Sequence, residues 1–507
     1  MKKVSIIGGG IGGLATACLL SHQGYTVDVF EKNHQLGGRA NVFEAEGFRF
    51  DMGPSWYLMP DVFEQFFHLL GEQVEDYLDL VRLDPSYRIF FQEDGEAVDI
   101  HSDLERDIPL FEQLEPGSGA QLQTYLSKAK IQYEIAKEGF MYKNYDSIWD
   151  LLTLETAIQG SKLSVLTPME SYVSRYFSSS KVKKIIQYPL VFLGSSPYKT
   201  PALYSIMNHI DFAMGVFYPQ GGMYEIVKSL VSIGQKHGVT YHTQASVESI
   251  EVHKGIAQGV RLSNGSFYQS DIVVSNADIA HTEMNLLPLE ARQYDEAYWN
   301  SRILAPSALI LYLGVSKQFK NLQHHNLVFS EDWERNFAQI FDHPQWPDDP
   351  SLYLCAPSKT DPSVAPEGCE NIFVLVPIAA GLSFTEHEQE TYIEKVLDIL
   401  ENDMNLTGLR EHIIYQRAYS VKDFETDYNS YQGTALGLAH TIRQTAIFRP
   451  NNVSKKVSNL YYVGGNTNPG IGVPICLISA EMVYKRISGN SSAHPLDPLP
   501  LPDHRPE

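Results

Sequence analysis

Apolar and polar positions change period several times along the chain. Val4–Ile7 is a short apolar run, and Ile11–Leu20 carries apolar residues at helical spacing. Gly24 stops that helix, and Tyr25–Phe30 alternates as a strand does, so residues 3–31 predict strand, tight turn, helix, strand. Amphipathic stretches at Val62–Leu70, Gln121–Ala136 and Met169–Phe177 predict a largely helical region over 60–210. Strand patterns return at Val247–Val252, Gly259–Leu262 and Asp271–Ser275, with a turn at Asn264-Gly265. Strands and helices alternate again from residue 300 to 440. Leu460–Gly464 predicts a last buried strand and Ile475–Ile487 a last helix. Ser488–Glu507 holds five prolines without a period and predicts a disordered tail. The longest apolar runs, around Ile303–Val315 and Ile372–Leu382, contain Pro306 and Pro377. They fall short of the ~18 apolar residues of a spanning helix and read as buried strands.

Nucleotide-fold signals therefore stand at the start, in the middle and near the end. The pattern predicts an α/β protein whose Rossmann-like domain is assembled from residues 1–70, 220–290 and 445–487. A mixed-sheet substrate domain is expected over 71–105, 200–219 and 291–444, and a helical domain with a candidate membrane face over 106–199. Composition narrows the classes. With 507 residues, 43% hydrophobic and 20% charged, the chain is globular and large enough for two or three domains. Sixty-one acidic against 39 basic residues give a net charge of −22, which argues against a duplex nucleic-acid binder. Cys18, Cys355, Cys369 and Cys476 form no CxxC pair, so neither a zinc site nor a disulfide framework is expected, and a reducing compartment fits. Lys2 and Lys3 before an apolar stretch imitate a signal peptide, but the glycine cluster that follows reads as the first turn of a mature domain.

That cluster carries the first chemistry. Gly8-x-Gly10-x-x-Gly13 lies between a predicted strand and a predicted helix. The three glycines permit the tight turn, the approach of backbone to a pyrophosphate, and close helix–strand packing. Glu31 ends the next strand, where a carboxylate accepts from a ribose hydroxyl. Alone, the glycines could be no more than a turn; strand, helix and Glu31 together predict a dinucleotide site. Gly37-Gly38-Arg39 would bring a second loop and a phosphate-neutralising cation to it. Gly464-Gly465-Asn466-Thr467-Asn468-Pro469-Gly470-Ile471-Gly472-Val473-Pro474 would bring a third, at the start of a helix whose dipole favours negative charge on a reduced flavin.

With these motifs the chain resembles the bacterial-type phytoene desaturases, FAD-dependent carotenoid desaturases related to the amine-oxidase flavoproteins. The resemblance extends to about residue 487. It also rests on Gly47–Pro54, Thr200–Ser205, Tyr218–Met223, Ser275–Asp278 and Ala365–Gly368. One departure is clear: many relatives have histidine where this chain has Asn468. The resemblance implies FAD held by Gly8, Gly10, Gly13, Glu31 and Lys32, with Gly38 and Arg39 near the phosphates and the backbone of Val247 facing adenine. Gly465 and Asn466 would approach the pyrophosphate and ribityl chain, and Val473 and Pro474 the isoalloxazine. It further implies a lipophilic polyene substrate, with phytoene converted to lycopene, and quinone or oxygen as electron acceptor. A cytoplasmic protein held peripherally on the inner face of the membrane follows. Variants on the scaffold are desaturation of diapophytoene or a hydroxycarotenoid, a redox-neutral carotene isomerase, an oxygen-inserting relative, and a flavin binder without activity.

No catalytic side chain is assigned. Asp51, Glu225 and His209 lie near the motifs, yet capping and surface roles explain them as well. His324-His325 and Glu386-His387-Glu388 lack HExxH spacing and read as polar residues, so no metal site is expected. Arg175, Lys181, Lys183 and Lys184 form a basic cluster among aromatic and apolar residues, readable as a lipid-facing patch or an ordinary amphipathic helix.

Overall fold

The computed structural model describes residues 1–147 and 167–501. Its first sheet is parallel, in the order Leu460–Tyr462, Ile272–Ser275, Lys3–Ile7, Thr26–Phe30, Thr240–His242. Val4 sits between Ile272 and Val27, and Val4–Ile7 is buried throughout, which is why the strand is apolar except for Ser5, whose hydroxyl pairs with Ser270. Helix Ile11–His22 makes the crossover to the second strand and is buried along its whole length. It packs between helices Tyr224–Lys236 and Val473–Ser488. Three stretches far apart in sequence thus build one nucleotide-type sheet.

A second sheet of seven strands runs Ile413–Tyr419, Ser307–Val315, Glu370–Ile378, Leu352–Cys355, His325–Phe329, Tyr87–Phe91, Ala97–Ile100. All its neighbours pair antiparallel except His325–Phe329 with Tyr87–Phe91. Leu309, Leu311 and Leu313 on one face meet helix Glu386–Asn402, which opens with a capping box between Thr385 and Glu388. Ala308, Ile310 and Tyr312 on the other face join an aromatic core with Phe50, Tyr353 and Phe373.

Two expectations need correction, and the structure adds to a third. The region 60–210 is not helical throughout: Leu80–Arg82, Tyr87–Phe91 and Ala97–Ile100 are strands, because aromatic and β-branched residues there fit a pleated surface and Asp94-Gly95 turns the chain. Ser488–Leu501 is not a loose tail. The Leu496 N–H donates to Glu481 Oε1 at 2.9 Å and the Leu499 N–H to the Leu69 carbonyl at 2.9 Å, while both leucines pack on the first core. In the basic cluster, readable as a lipid-facing patch or an ordinary amphipathic helix, the three lysines pair with acidic residues of the same chain. Lys181 binds Asp94 and Glu96, Lys183 binds Glu170 at 3.1 Å, and buried Lys184 reaches Glu93 at 3.4 Å. Helices Leu104–Leu114 and Ser118–Gly139 belong to the region expected to face a membrane, but its residues 148–166 lie outside the described chain. Among the described residues no helix is long and apolar enough to cross a membrane.

Candidate functional site

Three loops converge above the carboxyl ends of the parallel strands, where open α/β sheets bind ligands. Gly13 is the packing glycine: a Cβ there would stand 2.2 Å from the Gly8 carbonyl oxygen. Gly38, at φ +58°, lies against Gly10, and Gly12 lies against Gly464. Asn276 fills the centre, its side chain beside Gly10, Gly12 and Gly464. Glu31 is buried, and its carboxylate accepts from the Gly9 N–H at 2.9 Å and the Asn33 N–H at 2.8 Å. Burial pushes this carboxyl up, against the pull of those two donors and of Lys32.

A cavity of about 930 Å³ opens from these loops and runs on to the second sheet. Gly8, Gly10, Glu31, Lys32, Gly38 and Arg39 line its polar end, and Val247, Gly465, Val473 and Pro474 also border it. Gly13 and Asn466 do not. Asn466 turns away, donating to Asp278 at 2.8 Å and accepting from the Leu438 N–H at 3.2 Å, so it braces the loop rather than facing a ligand. Lys32 is held by the Thr426 carbonyl and by Asn429 at 3.2 Å. Beyond the polar end the wall is apolar and aromatic, with Trp56, Tyr188, Trp333, Phe337 and Tyr353.

The residues fit a flavin dinucleotide. Helices Ile11–His22 and Val473–Ser488 both start at this cavity, behind Gly10 and Gly472, and neither has a side-chain cap. Their first N–H groups and positive dipole ends are thus left to an anionic ligand. Arg39 donates through Nη2 to Ser430 at 2.9 Å, while its buried Nε has no partner.

Sequence reasoning missed several members of this site. Arg449 is buried and donates to the carbonyls of Thr467 at 3.0 Å, Gly465 at 2.6 Å and Leu438 at 3.2 Å, tying together loops that border the cavity. Burial lowers it to about 10, so it stays charged at neutral pH. No motif marks it. Asp278 caps the helical turn at Ile279 through the Ala280 N–H and receives Asn466, which the Ser275–Asp278 block had signalled only as a match. An imidazole does stand at the loop where Asn468 replaces histidine: a Cβ on Gly470 would lie 2.2 Å from His440 Nε2. Asp51, Glu225 and His209 do not line the cavity. Asp51 accepts from the Met223 N–H at 2.8 Å, Glu225 pairs with Arg49 at 3.1 Å, and His209 packs on Tyr133.

Residues 11–487 match the flavin containing amine oxidoreductase family, and the chain belongs to it. It is an FAD-dependent oxidoreductase of the branch that acts on CH–CH bonds. The relatives make the branch specific. The chain is 50% identical over 486 residues to a carotenoid 3,4-desaturase of Haloarcula japonica, covering 95% of this chain and 97% of the relative. It is 34% identical over 491 residues to a zeta-carotene-forming phytoene desaturase of Myxococcus xanthus, covering 96% and 94%. A 4,4'-diaponeurosporene oxygenase of Staphylococcus haemolyticus matches at 33% over 492 residues, covering 96% and 97%. Among solved structures, an oxidoreductase from Methanosarcina mazei shares the fold with a TM-score of 0.65 at 18% identity, covering 95% of this chain and all of that one. A putrescine oxidase variant does so with a TM-score of 0.63 at 12% identity, covering 97% and 99%.

Proposed function

We propose that the protein desaturates a long acyclic carotenoid at the 3,4 bond near the chain end. The observation that carries the reading is the single cavity joining the glycine loops to an aromatic, apolar wall. A polyene lies there without exposing polar groups, and such a wall keeps water from the reacting carbons. The choice of bond follows the relatives, since a 3,4-desaturase matches at 50% identity and a phytoene desaturase at 34%. Conversion of phytoene to lycopene is the second reading, favoured by the motif blocks. Diapophytoene, a hydroxycarotenoid, or oxygen insertion as in the diaponeurosporene oxygenase are further variants, as is isomerisation.

Bound FAD supplies the hydride acceptor, which no protein side chain can be. We infer that Gly8, Gly10, Glu31, Lys32, Gly38 and Arg39 hold its nucleotide end, with Gly465, Val473 and Pro474 near the ring. Val247 offers backbone to the adenine. The uncapped start of helix Val473–Ser488 favours negative charge beside it. The aromatic wall aligns the polyene and favours cationic charge spread along it. Removal of hydride leaves an allylic cation whose adjacent proton is acidic, so no strong base is required. A quinone or oxygen would serve as the terminal electron acceptor. Its substrate dissolves only in lipid, which supports a peripheral site on the cytoplasmic face of the membrane; Phe448, half exposed and bordering the cavity, fits an entry from that surface.

The test loads lycopene or phytoene into liposomes with the flavin-loaded protein and a quinone, without oxygen. Lycopene should give a product absorbing at longer wavelength, with one quinone reduced per new double bond. Conversion of phytoene but not lycopene would establish the second reading. Both pigments unchanged, with flavin still bound, would refute desaturation of either.

A further inference from the structure

His324 and His325 show no metal motif in sequence, but the second sheet supplies what the spacing lacks. His325 pairs in register with Cys355 on the next strand, so the two side chains share a face. One nitrogen of each imidazole and the Cys355 Sγ lie within 4.8 Å of one another, and all three residues are buried. A point about 2.8 Å or less from all three atoms therefore exists, against bonds of about 2.0–2.3 Å to such ligands. Small side-chain movements close that gap.

The surroundings match a metal centre more closely than a polar accident. His324 Nδ1 bonds Thr360 Oγ1 at 2.7 Å, and His325 Nδ1 bonds the Tyr353 hydroxyl at 2.7 Å. Both Nε2 atoms are buried without a hydrogen-bond partner. Ligating histidines use one nitrogen in this way to fix the ring while the other faces the metal. The Tyr353 hydroxyl is itself braced by Ser55 Oγ at 2.8 Å, and the His325 ring is stacked on Trp56 at 4.1 Å with the planes 7° apart. Tyr218 stands over His324 at 4.6 Å. Trp56 and Tyr353 also line the large cavity, so the cluster sits one side chain behind its wall.

We propose that His324, His325 and Cys355 form a binding site for a single cuprous ion. One soft thiolate and two imidazoles, with three ligands rather than four, suit copper(I). Charge points the same way: binding transfers the Cys355 thiol proton to solvent and forms one S–Cu bond, so a monovalent ion leaves the buried centre neutral. A divalent zinc ion would leave a net positive charge there, which burial disfavours. No electron is transferred in the binding step, and the site is independent of the desaturation reading.

The experiment titrates purified, flavin-loaded protein with cuprous ion under anaerobic conditions against the chromophoric chelator bicinchoninate. We expect one copper per chain held at chelator concentrations that strip Cys355→Ser and His325→Gln, while Cys369→Ser keeps it. Thr360→Val should weaken binding by about 10–100-fold, because only the orientation of His324 is lost. Bound-flavin absorbance reports folding. Should Cys355→Ser lose its flavin, Thr360→Val decides. Equal copper affinity in wild type and Thr360→Val, equal retention by wild type and a folded Cys355→Ser, or stoichiometric displacement of the copper by zinc would overturn the assignment.

Discussion

Half-buried Asp51 and buried Asp107 and Asp211 have carboxyls pushed up to about 6, about 7 and about 7, chiefly by desolvation. Asp211 is the clearest. One of its oxygens accepts from the hydroxyls of Tyr87 at 2.8 Å and Tyr188 at 2.9 Å, which favours the charged form without offsetting desolvation. The folded state keeps this proton to higher pH than the unfolded chain does. Its contribution to stability is therefore full below about pH 4 and is lost as pH rises to about 7, by about 1.4 kcal/mol per unit at most. An asparagine in its place would not titrate, and its amide oxygen would still accept from both tyrosines. Relative to wild type, Asp211→Asn should thus gain stability steadily from pH 4 to 7, read as the difference between urea midpoints at each pH; a difference that does not change with pH would refute this. Such pairings are invisible in sequence. Arg449 touches four carbonyls and Cys355 meets His325 only because strands and loops far apart in the chain fall into register. Gly8, Gly10, Gly13 and Glu31 stood out because their spacing lies within one short stretch of sequence, whereas Asn276 and Ala277, which pack against the glycines, do not.

Helix Val473–Ser488 does two jobs, and its two ends show them. Its first turn borders the cavity; its last turn carries Lys485, fully buried, paired with Glu481 at 3.0 Å and donating to the carbonyls of Tyr142 at 3.1 Å and His494 at 2.7 Å. Lys485 thereby joins helix, C-terminal segment and the loop after helix Ser118–Gly139. Lys485→Met should cost about 3–5 kcal/mol, because Glu481 is left as an uncompensated buried charge, whereas the double change with Glu481→Leu should recover much of the loss. Denaturant unfolding of both variants checks this. The helix itself was legible from its apolar spacing, and so were the buried strands around 310 and 375. Leu80–Arg82, Tyr87–Phe91 and Ala97–Ile100 were not, because short strands among helical stretches give weak periods and owe their state to partners such as His325–Phe329. Leu496 and Leu499 were hidden between prolines in a segment whose composition suggested disorder.

At the scale of the molecule, the five-stranded sheet draws on both ends of the chain and its middle, with strand Ile272–Ser275 flanked by Lys3–Ile7 and Leu460–Tyr462. Removing residues 445–507 deletes an edge strand, the third glycine loop, Arg449 and the helix against Ile11–His22. The truncated chain should therefore bind no flavin and fail to unfold cooperatively, as flavin absorbance and thermal melting would show; a soluble, flavin-loaded fragment would contradict the shared core. The same arrangement orders events during synthesis. A ribosome releases the amino-terminal strand first, but the cradle for the cofactor closes only after Leu460–Tyr462 and the helix that follows have emerged. Until then the nascent chain carries an incomplete apolar sheet, the kind of surface that chaperones protect. Flavin capture must in consequence wait until residue 488 has left the ribosome, so a nascent chain arrested before Leu460 should hold no flavin.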